Sequence, residues 1–146
     1  MAILLVVAEL NGNVVTESTG ELVAAAKAVA SDGDEIVVAV LSDDPAIVGA
    51  SAAGLGADRV LTVQHEALAE MGAGSFEAPV AAVTAISNSL SPAAILLSKS
   101  DFGSNVGPRV AAQVGGGFAQ DCIGLSSASN GRISVTRPVY GGNALA

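Results

Sequence analysis

Tryptophan is absent from this chain of 146 residues, and cysteine and histidine occur once each, as Cys122 and His65. A single thiol excludes an intrachain disulfide and points to a reducing compartment, a bacterial cytoplasm or a mitochondrial matrix, rather than export. One His and one Cys are too few soft ligands for zinc. A Ser-His-Asp triad would have to use His65, which sits in the polar run Gln64-His65-Glu66. No nucleophile and base can therefore be paired, and the sequence gives no support for a hydrolase or transferase. Cys122 follows Asp121 in an apolar setting and reads as a small core residue. Basic side chains are scarce, 6 against 14 acidic ones, which argues against a nucleic-acid binder, since phosphate neutralisation needs clustered Lys and Arg. No apolar run reaches the ~18 residues of a membrane span. The opening MAILLVVAEL lacks a basic n-region and meets Glu9 early, so it reads as a strand and not a signal peptide.

What is abundant is aliphatic. Hydrophobic residues make up 51% of the chain, and the only aromatics are Phe76, Phe102, Phe118 and Tyr140. One domain spanning 1–146 is expected, of a size that buries roughly 70% of its unfolded surface. Ile3 to Ala8 is an unbroken apolar run, the mark of a strand buried on both faces. Asn11-Gly12 predicts a turn, and Ser18 with Glu21 a capping box opening a helix through Leu22, Val23, Ala26 and Val29, closed by Gly33. Ile36 to Leu41 predicts a second buried strand. Asp43-Asp44-Pro45 predicts a second helix, with proline in its first turn and acids at its positive end, stopping near Gly54. A strand at Arg59–Val63, a loop around Gly72 and Gly74, a helix from about Ala78 to Leu90 and a strand at Ala94–Ser98 follow. The next helix is placed after Asn105 and ends in Gly115-Gly116-Gly117.

Strands alternating with helical patterns imply βαβ units and a mostly parallel, doubly wound α/β sheet of the Rossmann-like or adenine-nucleotide-hydrolase-like kind. The style then changes: Ser126–Ser129 and Ile133–Thr136 flank Asn130-Gly131, a strong hairpin signal. The carboxy-terminal part is therefore expected to be an antiparallel addition.

No dinucleotide fingerprint follows the first strand, which runs into Glu9-Leu10-Asn11-Gly12. The loop Ser98 to Asn105 is a different matter, because it leaves a strand's carboxyl end and feeds a helix amino terminus, where free N–H groups attract anions. Gly103, Ser104 and Asn105 are thus candidate cofactor-binding residues, and a free-standing adenine-nucleotide-binding module is one reading. Against it, Asp101 repels an anion, and Ser, Asn and Gly also suit an ordinary turn.

Charge is unevenly placed. Residues 1–101 hold 13 acidic and 3 basic side chains, whereas 102–146 hold Asp121 against Arg109, Arg132 and Arg137. Phe102, Phe118 and Tyr140 also fall in the second segment, a mix expected of an interface.

Two stretches are specific enough to suggest a family. Ser100-Asp101-Phe102-Gly103-Ser104-Asn105-Val106-Gly107-Pro108-Arg109-Val110-Ala111-Ala112, and Arg137-Pro138-Val139-Tyr140-Gly141-Gly142-Asn143-Ala144, resemble segments of electron transfer flavoprotein alpha subunits. Asp121 falls where those subunits carry an Asp in the following strand, and the opening strand and Gly56-Ala57-Asp58-Arg59-Val60-Leu61 also match in place. The resemblance implies an electron carrier and not an enzyme with its own substrate. It implies an alpha–beta heterodimer containing FAD, which takes electrons from flavin dehydrogenases such as acyl-CoA dehydrogenases and passes them to a quinone-linked oxidoreductase. Flavin in that family lies mainly in a carboxy-terminal domain that would follow Ala146, so this chain alone is expected to bind none. On this reading Phe102, Arg109, Arg137, Tyr140 and Asn143 are candidate partner contacts, with Arg109 alternatively pairing with Asp121. Gly141, Gly142 and Asn143 would shape a turn.

Overall fold

The computed structural model describes residues 1–69, 74–127 and 132–146; the expected loop at Gly72 and the Asn130-Gly131 turn lie outside them. β1 (Ile3–Val7), β4 (Glu35–Ser42), β5 (Arg59–Gln64) and β6 (Ala94–Leu96) form one parallel sheet in the order β5-β4-β1-β6. A small hairpin of β2 (Leu10–Asn11) and β3 (Val14–Val15) precedes helix α1 (Glu17–Val29). Helices α2 (Pro45–Ala53), α3 (Glu77–Leu90) and α4 (Asp101–Val114) connect or follow the remaining strands.

The two-residue period of a strand divides the core in two. Leu4 and Val6 of β1, with Ile36, Val38 and Val40 of β4, face Val23, Ala26 and Val29 of α1 and Val48 and Ala52 of α2. Leu5 and Val7, with Val37, Ala39 and Leu41, face Val80, Val83 and Ile86 of α3 and Val106 and Val110 of α4. Both faces of β1 and β4 are covered, which is why their sequences are continuously apolar. Helices on opposite faces and a reversal of winding between β1 and β6 make the sheet doubly wound, as the alternation of patterns implies.

The carboxy-terminal part is antiparallel. β7 (Gly124–Ser127) pairs with β8 (Ile133–Thr136), and Leu125 and Ile133 pack on the α1 side of the core. β9 (Pro138–Val139) and β10 (Ala144–Leu145) form a short ribbon around a tight turn at Tyr140–Gly142.

Several boundaries differ from the sequence expectation. α1 is preceded by Thr16, and no capping box forms, because the Ser18 hydroxyl lies inside the helix and bonds elsewhere. α1 stops at Val29, so Gly33 (φ 88°) shapes the turn before β4 and does not cap the helix. β6 ends at Leu96, two residues short of Ser98. α4 begins at Asp101, so Phe102 to Asn105 are helical and Pro108 stands in the helix interior, not its first turn. Its start is fixed by Ser100, whose hydroxyl accepts from the Gly103 N–H at 3.1 Å. Among the described residues no helix is long and apolar enough to cross a membrane.

Candidate functional site

In an open α/β sheet the ligand position is the crevice beyond the strand carboxyl ends where the winding reverses. Here that crevice lies between the ends of β1 and β6. It is a cleft of about 340 Å³ lined by Glu9, Thr16, Ser18, Glu21, Leu22, Ser98, Lys99 and Ser100.

A chain of hydroxyls crosses it. Ser98 Oγ bonds Ser18 Oγ at 3.0 Å, Ser18 Oγ bonds Thr16 Oγ1 at 2.9 Å, and Thr16 Oγ1 bonds Thr19 Oγ1 at 3.2 Å. Thr19 is fully buried and accepts from the Glu9 N–H at 3.1 Å. The hydroxyls on this wall are thereby satisfied by one another and by the Glu9 N–H. Two helices start beside it, but Glu17 and Asp101 already sit in their first turns and answer the positive ends. The cation on its wall, Lys99, is ion-paired with Asp121.

Gly103 does not open a cradle either. A Cβ there would stand 1.9 Å from the Ser98 carbonyl oxygen, so the glycine serves close packing of α4 on the end of β6. Ser104 donates its N–H to Ser100 O at 2.9 Å, and Asn105 donates its side-chain amide to Asp101 O at 2.7 Å. Gly103, Ser104 and Asn105 thus have partners or packing roles within the chain, and Glu9 and Glu21 on the walls repel a phosphate.

A second, more open cleft of about 740 Å³ lies between the Lys99–Asp121 pair and the turn after β9. Arg137 is pinned there: its N–H donates to Ala146 O at 2.8 Å, and Ala146 N–H donates back at 2.9 Å. Tyr140 (φ 53°), Gly141 (φ 65°) and Gly142 (φ 91°) are three successive left-handed residues. Asn143 closes the turn by donating its amide to Tyr140 O at 2.9 Å. This turn throws the Tyr140 ring outward, 84% exposed.

The candidate contacts are therefore divided between two regions. Arg137, Tyr140 and Asn143 share the ribbon. Phe102 packs partly buried against the α3–α4 side of the core, and Arg109 on α4 pairs with Glu77 of α3 at 2.8 Å. The expected Arg109–Asp121 pair is not formed. Asp121 lies outside any strand, with φ 60°, and Cys122 is exposed and not core, its thiol directed at Ala119 O.

Sequence reasoning passed over Ile123, which is 66% exposed and lines the same cleft as Arg137. No periodicity marks residues 117–123, so nothing in the sequence distinguishes an exposed Ile from a core one. Among the described residues the exposed large apolar side chains are Met1, Val14, Phe118, Ile123, Val135, Tyr140 and Leu145, and five of these seven follow α4.

Comparison with known proteins agrees with this architecture. The family described as electron transfer flavoprotein domain matches residues 4–146. The electron transfer flavoprotein subunit alpha of Bacillus subtilis is 25% identical over 140 residues, 96% of this chain and 42% of that one. The subunit alpha of Thermoanaerobacterium thermosaccharolyticum is 32% identical over 91 residues, 62% of this chain and 27% of that one. The corresponding protein of Clostridium acetobutylicum is 32% identical over 92 residues, 62% of this chain and 26% of that one. The chain thus matches less than half the length of each of these relatives.

Proposed function

The chain belongs to the electron transfer flavoprotein family, and from that membership we propose that it is the amino-terminal, partner-docking domain of an alpha subunit. Its partner is an electron transfer flavoprotein beta subunit, and FAD belongs to the assembled heterodimer and not to this domain by itself. The assembly carries electrons from flavin dehydrogenases, acyl-CoA dehydrogenases among them, to a quinone-linked acceptor. The domain contributes surface and orientation to that carrier, with no substrate chemistry of its own.

The observation that carries the reading is that exposed Ile123 and Tyr140 line one cleft with Arg137, within a stretch after α4 that also exposes Phe118, Val135 and Leu145. Exposed apolar side chains beside an arginine are what a docking face offers. The switch-point crevice carries Glu9 and Glu21, its one cation Lys99 is already ion-paired with Asp121, and its hydroxyls bond one another, which weighs against the nucleotide-module alternative.

Titration of the purified chain with a beta subunit, followed by gel filtration, tests the docking role. A stable complex is expected. A chain that binds no beta subunit but holds stoichiometric flavin alone would reverse the reading.

A further inference from the structure

Arg137 carries a polar atom with nowhere to go. Among the described residues, two buried side-chain polar atoms lack a hydrogen-bond partner, Asp121 Oδ1 and Arg137 Nε. The first is compensated by the Lys99 ammonium in an ion pair. The second has neither hydrogen bond nor ion pair. A guanidinium N–H withdrawn from water without an acceptor is costly, and folded proteins seldom leave one so. The backbone fixes its place, since Arg137 is bonded in both directions to Ala146 at the start of the β9–β10 ribbon.

The cleft that Arg137 lines suits one kind of occupant. Tyr140 and Ile123 present apolar surface at 84% and 66% exposure, while the Lys99–Asp121 pair is already neutral. The uncompensated charge of the cleft is thus Arg137 itself. It lies in a segment, 102–146, whose one acid, Asp121, stands against three Arg, whereas residues 1–101 are strongly acidic. Two-fold pairing of this face with itself would bring two uncompensated guanidinium groups onto one interface, which disfavours a second copy as the occupant.

We propose that this cleft receives an acidic side chain of a partner polypeptide, its carboxylate pairing with the Arg137 guanidinium and its apolar neighbours resting on Tyr140 and Ile123. The inference rests on the docking reading above and gives that interface its chemistry. Arginine suits the position because its planar fork directs the Nε–H, which a lysine ammonium cannot reproduce.

The test is a calorimetric titration of the chain with an electron transfer flavoprotein beta subunit, accompanied by nitrogen-15 spectra of the arginine Nε–H groups. Arg137→Lys keeps the charge and removes the directed donor, so affinity is expected to fall about tenfold or more. The Arg137 Nε–H resonance should move on complex formation, and Tyr140→Ala and Ile123→Ser should each weaken binding severalfold. Because both of those side chains are largely exposed, these variants decide the matter even if Arg137→Lys does not fold. Parent-like affinity in folded Arg137→Lys, or in both Tyr140→Ala and Ile123→Ser, would overturn the cleft assignment while leaving docking to another face. A parent chain that binds no beta subunit would bring down the docking reading itself. Self-association of the parent that Arg137→Lys abolishes would assign the cleft to a second copy and overturn the proposal.

Discussion

Gly103 lies so near the Ser98 carbonyl that an added Cβ would stand 1.9 Å from its oxygen. The opposing atom belongs to the backbone, at the end of β6, and cannot swing away. Gly103→Ala is therefore expected to destabilise the chain by about 1–3 kcal/mol or more, the range for overpacking. Gly107 offers the contrast, because its added Cβ would meet the Phe118 ring at 2.6 Å. That ring is 44% exposed and can turn outward, and replacing Gly by Ala in a helix gains about 0.8–1 kcal/mol. Urea midpoints of the two variants should differ clearly, with Gly107→Ala close to the parent. Equal midpoints would mean that α4 does not press on β6 as described.

Tyr140 is held in the left-handed region with its ring in solvent. A bulky residue there stores about 1–3 kcal/mol of strain, and glycine would release most of it, against an entropic cost of about 0.4–1 kcal/mol in the unfolded chain. Thermal melts of Tyr140→Gly should show stability unchanged or raised by up to about 1 kcal/mol. A clear drop would mean that the ring packs on the domain and is not presented to a partner.

The acid side of the stability profile should carry the signature of Asp34. Its carboxylate accepts the backbone N–H groups of Ser31 at 2.9 Å and of Ala2 at 2.7 Å, which hold its pKa below the ordinary carboxylate range. A lowered folded-state pKa means that the stabilisation is fully present above the unfolded value of about 4 and is lost as pH falls through the folded one. Asp34→Asn should therefore be less stable than the parent at neutral pH. The difference should narrow as pH drops below about 4. A gap that stays constant down to about pH 2 would rule out the carboxylate as its cause.

Adenine nucleotides should find no purchase in the crevice between β1 and β6. Its walls carry Glu9 and Glu21, and the Ser98–Ser18 bond spans it. Calorimetry with AMP and with ATP is expected to give dissociation constants no tighter than about 1 mM. Micromolar binding would require the hydroxyl chain to open and would restore the nucleotide-module reading.

The parallel core was legible in the sequence because β1 and β4 are apolar on both faces over whole strands, and few other structures tolerate that. The start of α4 was not. Ser100, Gly103, Ser104 and Asn105 have the composition of a turn, and proline, as at Pro108, favours a helix's first turn. What decides otherwise is tertiary: Gly103 is needed for close approach to Ser98, and the Ser100 cap starts the helix at Asp101 and not after Asn105. The Ser18 capping box failed for a related reason, since its hydroxyl bonds Ser98, 80 residues away. In the ribbon, Arg137 and Tyr140 could be singled out by type and by resemblance. Their exposure, the orphaned Nε and the part played by Ile123 depend on how β9 and β10 turn, which no local pattern encodes.

The register of β1 bears on how this chain must come off a ribosome. Leu4 pairs with Ile36 on one side and with Ala94 on the other. The first partner is synthesised soon after β1, but the second arrives only with Ala94, long after Ile36. Until then one edge of the most hydrophobic strand stands open, with its N–H and C=O groups unpaired and available to a neighbouring nascent chain. β6 contributes only three residues to close that edge. Non-local closure of this kind is slow compared with hairpin formation. Aggregation during expression should thus be sensitive to changes at Ala94, Ile95 and Leu96 that leave the finished fold almost as stable as before.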